Sequence, residues 1–494
     1  MRESGWKVAV VGGGLAGLSA AWRLLQLAQE HGLPLDVTVL EAGARLGGKV
    51  FTLRERGLVV EAGPDSFLAA KPAMRAWLSE LGLEGELRGM GPRRHAYVAR
   101  DGRLHRLPEG LRGIVPTSYA ALFRSRLLRR EEAERVLLDR AWPRGWEPGD
   151  IVPSHGSVED AALGGLLRRR FGDAWVEYVA EPLLAGIHAA SLDRLSARAV
   201  QPELWGGRFQ GSWIALARRA ARRAAGQGAA ARGGTPAASP FLTLRRGLYQ
   251  AVERAAAALA EGGVRLLTHA PAVRLLPAAR GGYALELADG AREAFAAVIL
   301  AVPSFAAARL VERLAPDAAA ALAAVPYAST LAVALAYERR DVPMDLDGTG
   351  FLVPRAERKT ISACTWLSSK WPHTAPPDTA LLRVFTGRRD DEAALKLGDD
   401  ALLAAVRADL RALMGIAAAP RWHAVFRWPE ALPQYDVGHL ERVAAAEAAL
   451  AAHPGLALAG AAYRGVGLPD VVAGGRAAAE AVAAHLRRGA VVRA

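Results

Sequence analysis

The period of the apolar positions changes in a set order along the chain. Trp6–Val11 (WKVAVV) is nearly continuous and apolar, the pattern of a buried strand. Leu15–Gln29 then spaces its apolar residues as a helix does, with no breaker after Gly17, and Leu35–Leu40 returns to a short strand pattern. Strand, glycine-rich turn, helix and strand predict a parallel pair with a crossover helix, hence an α/β fold. A second texture begins near Arg88. Tyr119–Asp139 and Val158–Phe171 read as helices rich in Leu, Ala and Arg, and Ala215–Pro240 reads as a helix end running into a flexible linker. From Phe241 the first rhythm returns, with a helix at Gly247–Glu261 and strands at Val264–Leu267, Ala272–Leu276 and Ala297–Val302. Residues 325–430 read as mixed strands and helices. The end reads as strand Leu456–Gly460, a glycine-rich turn and helix Leu468–Leu486.

At 494 residues the chain suggests about three folding units. The expectation is a Rossmann-like α/β domain assembled from 1–70, 241–305 and 445–494. A mixed α+β domain would take 71–93 and 306–444. A helical insert, 94–240, would end in the linker and could face a membrane or a partner. With 51% hydrophobic and 23% charged residues the composition excludes disorder, collagen and coiled coil. One cysteine, Cys364, excludes an intrachain disulfide and a multi-thiolate metal site, so no metal is expected, and it suits a reducing compartment. The net charge of +13 raises nucleic acid as a partner. No zinc finger or basic-aromatic platform accompanies it, and the six lysines leave the charge almost wholly to arginine, so no nucleic acid is expected. Residues Arg88–Trp146 hold fourteen Arg against six Asp or Glu, which suits an anionic ligand or an anionic membrane face. Ala318–Tyr337 is uncharged, yet Pro326 and the alternating LAVALAY predict helix end, turn and strand rather than a span. A strand starting at Trp6 leaves no room for a signal or transit peptide, which predicts a cytoplasmic protein with peripheral membrane contact left open.

The chemistry concentrates in glycine turns. Gly12-Gly13-Gly14-Leu15-Ala16-Gly17 follows a strand and opens a helix. Gly12 permits the tight turn, Gly14 lets the backbone approach a pyrophosphate, and Gly17 lets the helix pack on the strand. The phosphate would meet free N–H groups at the positive helix end. Glu41 ends the second strand, where a carboxylate can accept from ribose hydroxyls. Downstream, Glu41-Ala42-Gly-Ala-Arg45-Leu-Gly47-Gly48-Lys49 allows a second close backbone pass, with Arg45 and Lys49 able to neutralise pyrophosphate. NAD folds do not need this element, so the reading is FAD. The segment Gly460–Asp470 adds a turn at a helix N-terminus, which would favour negative charge on a reduced flavin.

These residues carry a resemblance to the FAD-dependent porphyrinogen oxidases of the amine-oxidase-like flavoprotein superfamily. It rests on VAVVGGGLAGLSAA, LEAGARLGGKV, EAGPDSF, EPLLAGIHAASLDRLSA, FLTLRRGLYQAVE, VILAVP, RWPEALPQYDVGHL and YRGVGLPDVVAGGRAAAEAV, and covers nearly the whole chain. The first two motifs are shared across the superfamily; the middle and last ones are narrower and resemble the oxidase of haem biosynthesis. The resemblance implies removal of six electrons from a reduced tetrapyrrole in three hydride steps to flavin, with molecular oxygen as acceptor and peroxide released. It implies no dedicated acid–base residue, so no catalytic residue is assigned. EAGPDSF followed by Lys71 is similar to the Gram-positive type, which implies coproporphyrinogen III, with its four propionates, rather than protoporphyrinogen IX with two. By motif position, FAD contacts fall on Gly12 to Gly17, Glu41, Ala42, Lys49, Ala62, Gly63, Pro64, Asp65, Val273, Trp428, Val466, Gly467 and Leu468. Lys71 and Arg94 become the propionate contacts, and Gly186 and Ile187 the apolar wall. His188 and Ala190 depart from the family pattern. A partner enzyme of the haem pathway is compatible with the insert. Rival readings are an amine oxidase or carotenoid desaturase on the same scaffold, and a tetrapyrrole carrier with structural FAD.

Overall fold

The computed structural model describes residues 5–145, 160–231, 239–279 and 281–491. Contacts divide the chain into two units. One takes Met1–Gly89, Ser239–Pro326 and His439–Ala494, the other Met90–Ala238 and Tyr327–Gly438.

In the first unit the opening pattern is realised as β1 (Trp6–Val11), α1 (Leu15–His31) and β2 (Leu35–Leu40). Later segments add β3 (Arg265–Leu267), β4 (Ala297–Leu300) and β5 (Leu456–Leu458), and α2 (Leu468–Val491) closes the chain. The sheet order is β3-β2-β1-β4-β5, with every neighbouring pair parallel. Parallel strands are buried on both faces, so they read as unbroken apolar runs. Val8, Val10, Val37, Val39 and Ile299 sit in one core with Leu18 and Leu24 of α1 and Val472 and Val482 of α2. A Cβ on Gly475 would overlap the Ala16 carbonyl oxygen, so α1 and α2 pack backbone to backbone. The Ser19 hydroxyl, 3.3 Å from the Val472 carbonyl oxygen, fixes their N-terminal turns side by side. Two turns far apart in sequence are thereby brought together.

The second unit is built on a seven-stranded sheet. Its order is Trp422–Pro433, Tyr327–Glu338, Thr379–Thr386, Ile361–Trp366, Gly348–Leu352, His95–Arg100, Arg103–Arg106. Only Gly348–Leu352 with His95–Arg100 is parallel. Its core joins Leu335, Tyr337, Trp366 and Leu382 to Leu402, Val406 and Leu410 of the helix Asp399–Met414.

Three expectations need correction. Of residues 71–93, only 90–93 go with the mixed sheet: the helix Pro72–Glu80 puts Met74, Trp77 and Leu78 into the first unit's core, and residues 306–326 and 439–444 belong to that unit too. The start of the helical insert is strand, because His95–Arg106 completes the seven-stranded sheet. The helix expected over Tyr119–Asp139 is broken into Tyr119–Arg124 and Arg130–Leu137, followed by a turn of 3₁₀ helix. The cause is tertiary. Glu132 accepts the Arg129 N–H at 2.7 Å and grips Arg100 through both oxygens at 2.7 and 2.9 Å, so a new helix starts there. Positions 158–159 of the next expected helix and 232–238 of the expected linker lie outside the described residues. The uncharged run resolves as anticipated into helix Pro316–Ala323 and strand Tyr327–Glu338. Among the described residues no helix is long and apolar enough to cross a membrane.

Candidate functional site

The glycines between β1 and α1 serve different ends. Gly12 has φ +108°, and a Cβ there would strike the Ala301 carbonyl oxygen at 2.5 Å; a Cβ on Gly17 would overlap the Gly12 carbonyl oxygen. The protein itself demands both. Gly14 is otherwise. Its φ of −73° suits any residue, and nothing lies within 4 Å of an added Cβ. The fold leaves this space unused, at the N-cap of a helix with no side-chain cap and no acid in its first turn. The N–H groups of Leu15 and Ala16, which open that helix, have no intrahelical partner, and such an end attracts an anion.

The turn after β2 packs on the first one. Gly47 donates to the Gly13 carbonyl oxygen at 2.8 Å, and a Cβ on Gly48 would lie 3.3 Å from the Gly14 Cα. Glu41 orders both turns, its two oxygens accepting the N–H of Gly13 and of Gly43 at 2.8 Å each. A carboxylate has about four acceptor sites, so hydroxyl groups can still be received there, beside the exposed Ala42. Arg45 does not act as expected. Its guanidinium donates to the carbonyl oxygens of Leu46, Gly48 and Val50 and lies 4.6 Å over the Phe51 ring, so it fastens the turn instead of facing a phosphate. Lys49 keeps its charge available. Its ammonium makes no ion pair or hydrogen bond among the described residues, and burial pushes its pKa down to about 8. Empty space at Gly14, free helix donors and an uncompensated lysine fit a pyrophosphate.

That lysine carries a pH prediction. An anion bound beside Lys49 raises its pKa again, so binding takes up a proton above pH 8. FAD affinity of the apoprotein is expected to be level below pH 8 and to fall above it, by up to about tenfold per pH unit. Lys49→Met should bind more weakly at pH 7 and lack that fall. Fluorescence titration across pH 6–10 checks both.

The EAGPDSF loop is anchored by Glu61, which the motif reading passed over. This buried carboxylate accepts the Thr52 hydroxyl and the Leu248 N–H. Ala62 follows it, buried, with Gly63, Pro64 and Asp65 half-exposed, and Asp65 accepts the Ser66 hydroxyl. Val273 stands 44% exposed at a bulge in the strand Ala272–Pro277, where the extra residue turns an apolar side chain outward. Val466, Gly467 and Leu468 form the turn into α2. Lys71, expected at a propionate, is held by Asp470 of α2, with Nζ 2.7 Å from each carboxylate oxygen.

In the second unit Arg94 is exposed and makes no ion pair or hydrogen bond among the described residues. Gly186 and Ile187 lie near the end of the helix Glu181–His188; Ile187 is 54% exposed, and only Leu352, at 4.0 Å, comes near a Cβ on Gly186. The next residue, His188, is buried. Desolvation holds its imidazole down to about 4, so it is neutral at physiological pH, and its Nδ1 has no partner among the described residues. Trp428 is half-buried on the strand Trp422–Pro433, opposite Thr330. Among the described residues no cluster of His, Cys, Asp and Glu could hold a metal ion.

The model of the flavin-containing amine oxidoreductase family matches residues 15–483. Coproporphyrinogen III oxidase of Bacillus subtilis (strain 168) is 34% identical over 481 residues, covering 97% of this chain and 98% of the relative. That of Propionibacterium freudenreichii subsp. freudenreichii is 36% identical over 500 residues, covering 96% and 90%. A crystal structure from Exiguobacterium sp. 255-15, a candidate protoporphyrinogen oxidase, superposes with a TM-score of 0.82 at 32% identity, covering 98% of this chain and 100% of that one.

Proposed function

The chain belongs to the flavin-containing amine oxidoreductase family, and from that premise we propose that it oxidises coproporphyrinogen III to coproporphyrin III with FAD as cofactor. What carries the reading is the near full-length similarity to two oxidases of that name, on a chain whose first unit keeps both glycine turns of a dinucleotide site. FAD, when bound, supplies the two-electron acceptor; molecular oxygen is the proposed final acceptor.

The chain's own residues would then bind and orient. The N–H groups opening α1, with Lys49, take the pyrophosphate, and Glu41 takes ribose hydroxyls. Ala62 to Asp65, Val273, Trp428 and Val466 to Leu468 are proposed to line the rest of the cofactor. Arg94, uncompensated, offers a guanidinium to a propionate, and Ile187 an apolar surface to the macrocycle. No side chain is assigned as acid or base, and His188 cannot take a proton near neutral pH, because burial holds its imidazole at about 4. Holding the methylene bridge at reacting distance is enough to supply much of the rate. The proposed setting is the cytoplasm, within haem biosynthesis.

Arg94→Ala tests the substrate half of this reading. Loss of one charge-assisted contact of about 1.5 kcal/mol should raise KM for coproporphyrinogen III roughly tenfold, with kcat within about twofold. An unchanged KM would remove Arg94 from the substrate site.

A further inference from the structure

Two features of the second glycine turn point beyond cofactor binding. The first is how Asp470 is held. It occupies the first turn of α2, and a Cβ on Gly465 (φ +145°) or on Gly467 would meet its side chain at 2.6 and 2.9 Å. Both glycines thus leave room for this carboxylate and keep it against the backbone of the turn. The second is its partner. Lys71, 399 residues away in sequence, closes on it through both oxygens at 2.7 Å.

Stability accounts poorly for this arrangement. The lysine side chain is half exposed, and ion pairs of that kind add little to folding. An acid in the first turn suits the helix dipole, yet it also cancels the positive field that the N-terminus would extend to a ligand. Two arginines of this segment are paired with other acids. Arg464 pairs with Glu447, and Arg476, further along α2, pairs with Glu80. Lys71 and Asp470 therefore form a neutral couple at the helix end, and removing either partner leaves one net charge there.

We propose that the Lys71–Asp470 couple sets the reduction potential of the bound FAD by holding the net charge at the N-terminus of α2 near zero. The inference rests on the reading that this turn faces the flavin. Reduction adds negative charge, so a lone Asp470 opposes it and a lone Lys71 favours it. The two residues are positioning residues in this role, with no step of their own in the chemistry.

The test is the midpoint potential of the FAD holoprotein, measured against a reference dye under anaerobic conditions. Lys71→Gln is expected to lower the two-electron equilibrium about tenfold, equivalent to about 30 mV, and Asp470→Asn to raise it by a similar factor. The double variant should return to within about threefold of the unaltered protein, and salt should shrink both single shifts. Single shifts of the same sign, or both under about twofold, overturn the proposal. If Asp470→Asn fails to keep FAD, the half-exposed Lys71→Gln decides alone, with Lys71→Arg expected to hold the original potential. Unaltered protein that binds no FAD, or does not oxidise porphyrinogen, sinks the functional reading instead, so the two failures are separable.

Discussion

Gly14→Val should fold as the original chain does and purify without flavin. Most substitutions in a glycine motif cannot separate folding from binding, because the glycine serves both. Here the structure separates them. At Gly14 the backbone is extended, and nothing in the described structure lies within 4 Å of an added Cβ, so a side chain there starts in open space. It would fill the space in front of the α1 N-terminus. Pyrophosphate bound there accepts several charge-assisted hydrogen bonds of about 1.5–3 kcal/mol each, so affinity for FAD should drop at least a hundredfold. A melting temperature within a few degrees of the original, together with a colourless protein, is the expected pair of results. Gly17→Ala is the contrasting variant. Its methyl would overlap the Gly12 carbonyl oxygen, so it should lose stability and flavin together. A yellow Gly14→Val protein with undiminished affinity would mean that the dinucleotide lies elsewhere.

The largest effect on stability is expected in the second unit, at Arg170. Its guanidinium is 1% exposed and 3.2 Å from Asp139, which is wholly buried. It also donates to the carbonyl oxygens of Gly211 and Arg208, and it lies over the rings of Trp142 and Trp213, 4.6 and 4.3 Å from their centroids. Asp139 in turn accepts the Ser212 hydroxyl and the Ile214 N–H. Three stretches of chain, 139–142, 170 and 208–214, meet on this one pair. Arg170→Ala strands a buried carboxylate and opens a cavity beside two indoles, so a loss of about 3–5 kcal/mol is expected in denaturant unfolding. Replacing both charges, as Arg170→Met with Asp139→Asn, should recover part of that loss, since no ion is then left unpaired. A loss under about 1 kcal/mol for Arg170→Ala would show that the pair is dispensable.

Local pattern was enough for β1, α1 and β2, which begin and end close to where their apolar periods do. A buried parallel strand next to an amphipathic helix is written in consecutive residues. What consecutive residues do not contain is the tertiary partner. Arg45 and Lys49 look alike in the motif, yet Arg45 stacks on Phe51 while Lys49 has no carboxylate partner among the described residues. Lys71 has the charge of a substrate contact and is taken by an acid at the far end of the chain. The break near Arg126, which itself has a left-handed φ of 54°, belongs to the same class. It follows from Glu132 reaching a strand residue, Arg100, thirty-two positions earlier. Likewise, Gly12, Gly14 and Gly17 are equal in the motif, and only the space around each shows which ones serve the fold and which serves a ligand.

The account stands on the oxidation of a four-propionate porphyrinogen, and the most direct test is the rise of porphyrin fluorescence in air. Purified holoprotein would be mixed with coproporphyrinogen III and, separately, with protoporphyrinogen IX, each corrected for spontaneous oxidation. Fluorescence rising well above the spontaneous rate, and faster with coproporphyrinogen III, is the predicted result. FAD-loaded protein that exceeds the spontaneous rate with neither substrate would contradict the account.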